Sequence, residues 1–226
     1  GLPELDEPAV LAAAVDKLSS TVTLPLVVDS SDPVAVEAAV RGYAGKPLIN
    51  SVNGKRESLE AVLPIVKRYG CAVIGLALDE EGIPPTAEGR FAVAERIVEA
   101  AERYGIPRTD VVIDCLTMAC ATNQSEALEI LRAVTMVKER LGVRTALGVS
   151  NISFGLPQRN MVNSTFLAAA FGCGLDMPIL NPKAKRYTDT VNTFRVLNCQ
   201  DAGAVGFIGE YADAADPYTA GTAGAG

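Results

Sequence analysis

Six short apolar runs along this chain each close on an acid or its amide: Asp29, Asn50, Asp79, Asp114, Asn151 and Asn181. No histidine occurs anywhere in the 226 residues. That excludes chemistry built on an imidazole: Ser-His-Asp nucleophiles, histidine general bases and histidine-bearing zinc sites. Carboxylates and amides are suited instead to reading the edge of a planar heterocycle. A carboxylate accepts a pair of neighbouring N–H donors, and an amide offers a donor beside an acceptor. Asp29, Asn50 and Asp114 are the candidates for such an edge. Asp79 is followed by Glu80 and Glu81, so a ligand contact and a solvated acidic turn stand as equal readings.

The elements that must position these residues are legible from the pattern. Apolar runs cover 24–28, 47–49, 72–78, 111–113, 145–149 and 177–180. Amphipathic stretches lie between and after them, at 34–44, 58–69, 88–104, 125–141, 161–173 and 188–197. Strand and helix alternating at this spacing predict parallel β/α units. Strands that are apolar throughout, without alternation, predict a sheet buried on both faces. An open doubly wound sheet would gather its ligand groups at one switch point. A polar residue at the end of every strand predicts a (β/α)8 TIM barrel, whose strand ends form one ring. One Asp or Asn at a strand end is an ordinary turn former, but six in register favour the ring. The helical stretch 9–18 has no strand before it. The expectation is an α/β TIM barrel lacking its first two strands in this chain, a fragment with exposed strand edges. Residues 1–205 are assigned to the barrel. Residues 206–226, dominated by Ala, Gly and Thr from 212 onward, are assigned to a C-terminal linker or tail.

Composition is that of a globular enzyme, with 49% hydrophobic and 21% charged residues. A net charge of −7, with dispersed basic residues, argues against a nucleic-acid surface. No apolar run reaches membrane-spanning length, and no secretory signal is visible. Cys71, Cys115, Cys120, Cys173 and Cys199 form no CxxC and read as reduced thiols of a cytoplasmic protein. A phosphate-binding loop is missing, because Gly203, Gly206 and Gly209 lack the spacing and the lysine it needs.

The most specific stretch is Gly148-Val-Ser-Asn-Ile-Ser-Phe-Gly-Leu-Pro-Gln-Arg159, followed by Asn163. With Asn163-Ser-Thr-Phe-Leu and Gly174-Leu-Asp-Met-Pro-Ile-Leu-Asn-Pro182 it resembles the methyltetrahydrofolate-binding domain of cobalamin-dependent methionine synthases and related corrinoid methyltransferases. The resemblance covers roughly residues 1–200. Val-Asp-Ser-Ser, Ile-Asn-Ser and Ile-Asp-Cys-Leu stand where that family holds the pyrimidine edge of a pterin, at Asp29, Asn50 and Asp114. Cys115 departs from the proline common there, which predicts a changed turn and a retained ligand.

This resemblance implies that the N5 methyl of 5-methyltetrahydrofolate moves to cob(I)alamin on a partner domain or corrinoid protein. Asn151 would be the catalytic residue at N5. Ser153, Gln158, Arg159 and Asn181 would line the substrate site, with Arg159 as readily a surface ion pair. The cobalamin would be carried elsewhere, since the chain has no Asp-x-His-x-x-Gly motif and no zinc-type cysteine cluster. A homodimer is left open. The alternatives are a methyltransferase serving a corrinoid iron–sulfur protein, a dihydropteroate-synthase-like enzyme, and a non-catalytic pterin-binding remnant. Asn163 is expected to cap the helix it begins. Lys183, Lys185 and Arg186 are expected as a solvated cluster that could attract folate carboxylates. Met118, Met136 and Phe166 are expected in the core. Because Gly1 corresponds to the end of a family loop of Asp-x-Asn-x-Gly type, the strand of that loop is expected upstream.

Overall fold

A computed structural model describes residues 6–215. In chain order it comprises α1 (Glu7–Ser19), β1 (Val27–Asp29), α2 (Pro33–Arg41), β2 (Leu48–Asn53), α3 (Arg56–Tyr69), β3 (Ala72–Leu76), α4 (Ala87–Arg103) and β4 (Val111–Asp114). Next come α5 (Glu126–Met136), β5 (Arg144–Gly148), α6 (Arg159–Gly172), β6 (Met177–Ile179), α7 (Lys185–Leu197) and α8 (Val205–Tyr211). The six strands form one sheet in sequential order, and every neighbouring pair is parallel. This is the curled arc of a TIM barrel, six strands of the expected eight being present among the described residues.

Strand alternation sorts the side chains onto two faces. Val28, Ile49, Val73, Val111, Ile113 and Leu147 point outward and join the large core beneath the helices. Ile74, Val112 and Ala146 form a second, inner cluster with Leu48, Leu76 and Met177. Both faces are apolar, as the continuous runs required. Helix starts follow local chemistry. Asp32 accepts from the Val34 N–H at 2.9 Å ahead of Pro33, and Thr86 accepts from the Gly89 N–H at 3.1 Å. Gly70 closes α3 in the left-handed region at φ 64°. The stretch expected at 125–141 is α5 continued by a π-helical turn, Val137–Leu141, which ends at Gly142 with φ 65°.

Four details differ from the sequence expectation. β2 runs on to Asn53, with a register shift between Asn50 and Val52 at a cis Asn50–Ser51 peptide. β3 stops at Leu76, so Asp79 lies in the following turn. There its Oδ1 accepts from the Glu81 N–H at 3.1 Å and its Oδ2 from Arg96 at 3.0 Å. Met118 is not core: it is 39% exposed on the β4–α5 loop, because β4 has already ended four residues earlier. α8 (Val205–Tyr211) crosses from the expected barrel into the segment expected as a linker, and 216–226 lie outside the described residues, as does Gly1. Among the described residues no helix is long and apolar enough to cross a membrane.

Candidate functional site

Strands in parallel deliver their C-terminal ends to one side, and the acids and amides gather there. Asp29 and Asn50 are register partners on β1 and β2. The Asn50 Nδ2 donates to Asp29 Oδ2 at 3.2 Å. Both line a cavity of about 440 Å³ on the inner face, with Leu48, Ile74, Ala146 and Met177 as its apolar wall. An amide already bonded to a carboxylate keeps its own carbonyl free, so the pair presents acceptors and a donor side by side.

Asp114 ends β4 on the same inner face, two residues beyond Val112 and beside Leu76 and Ala146 in the ladder. It is 7% exposed. Burial pushes its carboxyl up to about 6, opposed by one hydrogen bond from the Leu116 N–H to Oδ1 at 2.8 Å. A carboxylate so desolvated is a strong acceptor for a cationic or paired-donor edge. Cys115, next to it, is fully buried, and burial raises its thiol far above the usual range, so it is an inert core thiol.

Asn151 sits in a short 3-10 turn, Val149–Ser153, directly after β5. Its side chain is exposed and lies over Gly148: a Cβ at position 148 would meet Asn151 Nδ2 at 3.2 Å. Gly148 follows Ala146 by two, on the inner face, so the amide hangs at the barrel mouth. The turn is tied to the Asp114 loop, for the Cys120 N–H and Sγ both donate to the Ile152 carbonyl, at 3.0 and 3.1 Å.

The remaining expected residues take distinct places. Ser153 is fully buried, donates to the Ser150 carbonyl at 3.2 Å and accepts from Arg159 Nε at 2.9 Å. Arg159 also donates to the Ser150 carbonyl at 2.9 Å and lies over the Phe154 ring at 4.5 Å. These two side chains hold the shape of the Asn151 turn. Gln158 is exposed just before α6, with left-handed backbone at φ 51°. Asn181 is exposed beyond β6, its Oδ1 accepting from the Lys183 N–H at 3.0 Å. Lys185 pairs with Asp189 at 2.7 Å and Arg186 donates to Ser164 at 3.1 Å, while Lys183 is exposed.

Asn163 is not a cap. α6 begins at Arg159, which places Asn163 in its second turn, 2% exposed, donating to Tyr187 Oη at 2.6 Å. Its Oδ1 is buried with no hydrogen-bond partner among the described residues. Sequence reasoning also passed over Arg90, which is 1% exposed behind the Asp114 loop. The signal was available: one arginine among Ala87, Val93, Ala94 and Ile97 on the buried face of α4. Thr117, on the same loop, carries a buried hydroxyl with no partner among the described residues.

A family profile described as pterin binding enzyme matches residues 2–181. The methionine synthase of Mycobacterium leprae (strain TN) is 34% identical over 186 residues, covering 76% of this chain and 15% of that protein. The methylcorrinoid:tetrahydrofolate methyltransferase of Eubacterium limosum is 27% identical over 174 residues, covering 76% of this chain and 64% of that protein. This chain therefore spans a minor part of the methionine synthases it matches, 15% and 16% of their length. The Yersinia pestis DHPS with a pterine-sulfa conjugate superposes with a TM-score of 0.68 at 15% identity, covering 88% of this chain and 78% of that one. That likeness is one of fold. With that profile matched over residues 2–181, this chain belongs to the pterin binding enzyme family.

Proposed function

We propose that this chain binds 5-methyltetrahydrofolate and passes its N5 methyl group to the cobalt of a corrinoid carried by a partner domain or protein. The observation that carries the reading is the inner-face cavity bearing the Asp29–Asn50 pair, with Asp114 beside it on the same face. A pterin offers a 2-amino group and a ring N–H as donors and a carbonyl as acceptor. Asp29 and Asp114 supply acceptors and Asn50 supplies both, so the edge is matched in kind. Names of similar proteins point the same way, methionine synthase and methylcorrinoid:tetrahydrofolate methyltransferase.

The corrinoid supplies the nucleophile, and this chain supplies position. N5 is a poor leaving group until it gains a proton or a strong hydrogen bond. Asn151 Nδ2 donates to N5 as charge develops there, which favours the transition state over the ground state. The methyl leaves without its bonding electrons, N5 keeps that pair, and solvent delivers the proton that yields tetrahydrofolate. Ser153 and Arg159 hold the turn that aims Asn151, and Gln158 and Asn181 stand at the rim toward the folate tail.

The test is single-turnover mixing of the chain, labelled 5-methyltetrahydrofolate and free cob(I)alamin. Transfer of the label to cobalamin supports the reading. Saturable folate binding with no transfer would leave a binding module and overturn the catalytic part.

A further inference from the structure

We infer that Arg90 is a positioning residue for the pterin edge, acting through a single peptide unit on the carboxylate of Asp114. The inference rests on the folate-binding reading above. The Arg90 guanidinium is buried and uses all three of its nitrogens. Nε donates to the Pro84 carbonyl at 2.9 Å, and Nη2 donates to Glu126 Oε2 at 2.6 Å. Nη1 donates to the Leu116 carbonyl at 3.2 Å and, more weakly, to the Cys115 carbonyl at 3.4 Å.

The Cys115 carbonyl and the Leu116 N–H belong to the same planar peptide and point in opposite directions. At one edge of that peptide stands the guanidinium, and at the opposite edge the Leu116 N–H donates to Asp114 Oδ1 at 2.8 Å. Hydrogen bonds in such a chain polarise one another, so a cation on the carbonyl makes the N–H a better donor. Leu116 also sits at φ 61°, a left-handed conformation that a leucine adopts only when its surroundings impose it. Arg90 grips the carbonyls on both sides of that residue. Glu126, at the start of α5, holds the guanidinium from the far end of the same loop.

A purely structural reading makes Arg90 a buried bridge between α4 and α5 and nothing more. The two readings separate in a double-mutant cycle on the full chain, with 5-methyltetrahydrofolate affinity measured by calorimetry. The variants are Arg90→Met, Asp114→Asn and the pair, each checked for folding by circular dichroism. Our reading expects Arg90→Met to weaken binding at least about threefold in the parent and to add nothing in the Asp114→Asn background. Equal losses in both backgrounds, or no loss at all, would overturn it. If Arg90→Met does not fold, Arg90→Lys keeps the charge beside Glu126 and loses the fork that reaches both carbonyls. The same background dependence is then expected, with the Leu116 amide proton moving upfield in the NMR spectrum. A Lys variant with parental affinity and an unmoved Leu116 resonance overturns the inference. Undiminished affinity in Asp114→Asn alone sinks the folate-edge reading itself, a distinct result.

Discussion

Asn50 and Asp29 are hydrogen-bonded at 3.2 Å across two strands that differ in burial, Asn50 half-buried and Asp29 exposed. The amide is thereby oriented by the carboxylate, its Nδ2 committed to Asp29 Oδ2. Asn50→Asp would set two carboxylates against one another where a donor and an acceptor now meet. Binding of 5-methyltetrahydrofolate should weaken by at least about tenfold, on the basis of 1.5–3 kcal/mol for a hydrogen bond to a charged group. Calorimetry returning the parental affinity would remove Asn50 from the site.

Asp114 carries two opposed consequences of its burial. Its folded carboxyl titrates at about 6 against 3.8 in the unfolded chain, so the native state binds the proton more tightly. Fold stability attributable to this group is full below pH 4 and is lost as pH rises through 6. Asp114→Asn should therefore be more stable than the parent at pH 7, on the order of 2–3 kcal/mol, with the advantage gone at pH 3. Urea melts at the two pH values test this, and equal gains at both would contradict the burial argument.

Ligand binding runs the other way with pH. A pterin edge needs the ionised acceptor, so affinity for 5-methyltetrahydrofolate should fall as pH drops through about 6. The Asp114→Asn variant should bind weakly at every pH and lose that step. An affinity step that survives in Asp114→Asn would belong to another group.

Asn151→Ala should lower the saturated methyl-transfer rate roughly 10²–10³-fold while affinity changes far less, by analogy with other preorganised donors. Stopped-flow absorbance of cob(I)alamin at saturating folate reads the rate. A loss confined to affinity would make Asn151 a uniform binding residue.

Gly148→Ala tests the placement of that amide without touching it. A methyl at 148 would press on Asn151 Nδ2 at 3.2 Å, closer than relaxed contact. The expected outcome is a reduced transfer rate with the fold and folate affinity retained. A parental rate would mean that the amide adapts freely and that its position is not critical.

What was legible in the sequence was whatever a strand end makes periodic. Asp29, Asn50, Asp114 and Asn151 each close an apolar run, and parallel pairing then brings them to one side of the sheet. Residues whose role depends on helix interiors were not legible in this way. Arg90 is one polar letter on an apolar face, and nothing local announces that Pro84, Cys115, Leu116 and Glu126 converge on it. Asn163 has the composition of a cap, but α6 starts one turn earlier, and its partner Tyr187 comes from the next helix. Ser153 and Arg159 were visible as polar residues near Asn151. That they bond each other and the Ser150 carbonyl is a property of the turn, set by tertiary packing.

Sequential strand order has a bearing on how the molecule comes to be built. Among the described residues every strand pairs only with its neighbours in sequence, and Val73 with Val111 spans the widest interval in the ladder. Among the described strands, none waits for a partner other than its neighbour in sequence. Each emerging β/α unit can therefore dock on the edge left by its predecessor as the ribosome releases it, because closure entropy grows only slowly with the length of the intervening chain. The order of synthesis can then also be the order of assembly, the segment bearing Asp29 and Asn50 preceding the loop of Asp114 and then the Asn151 turn.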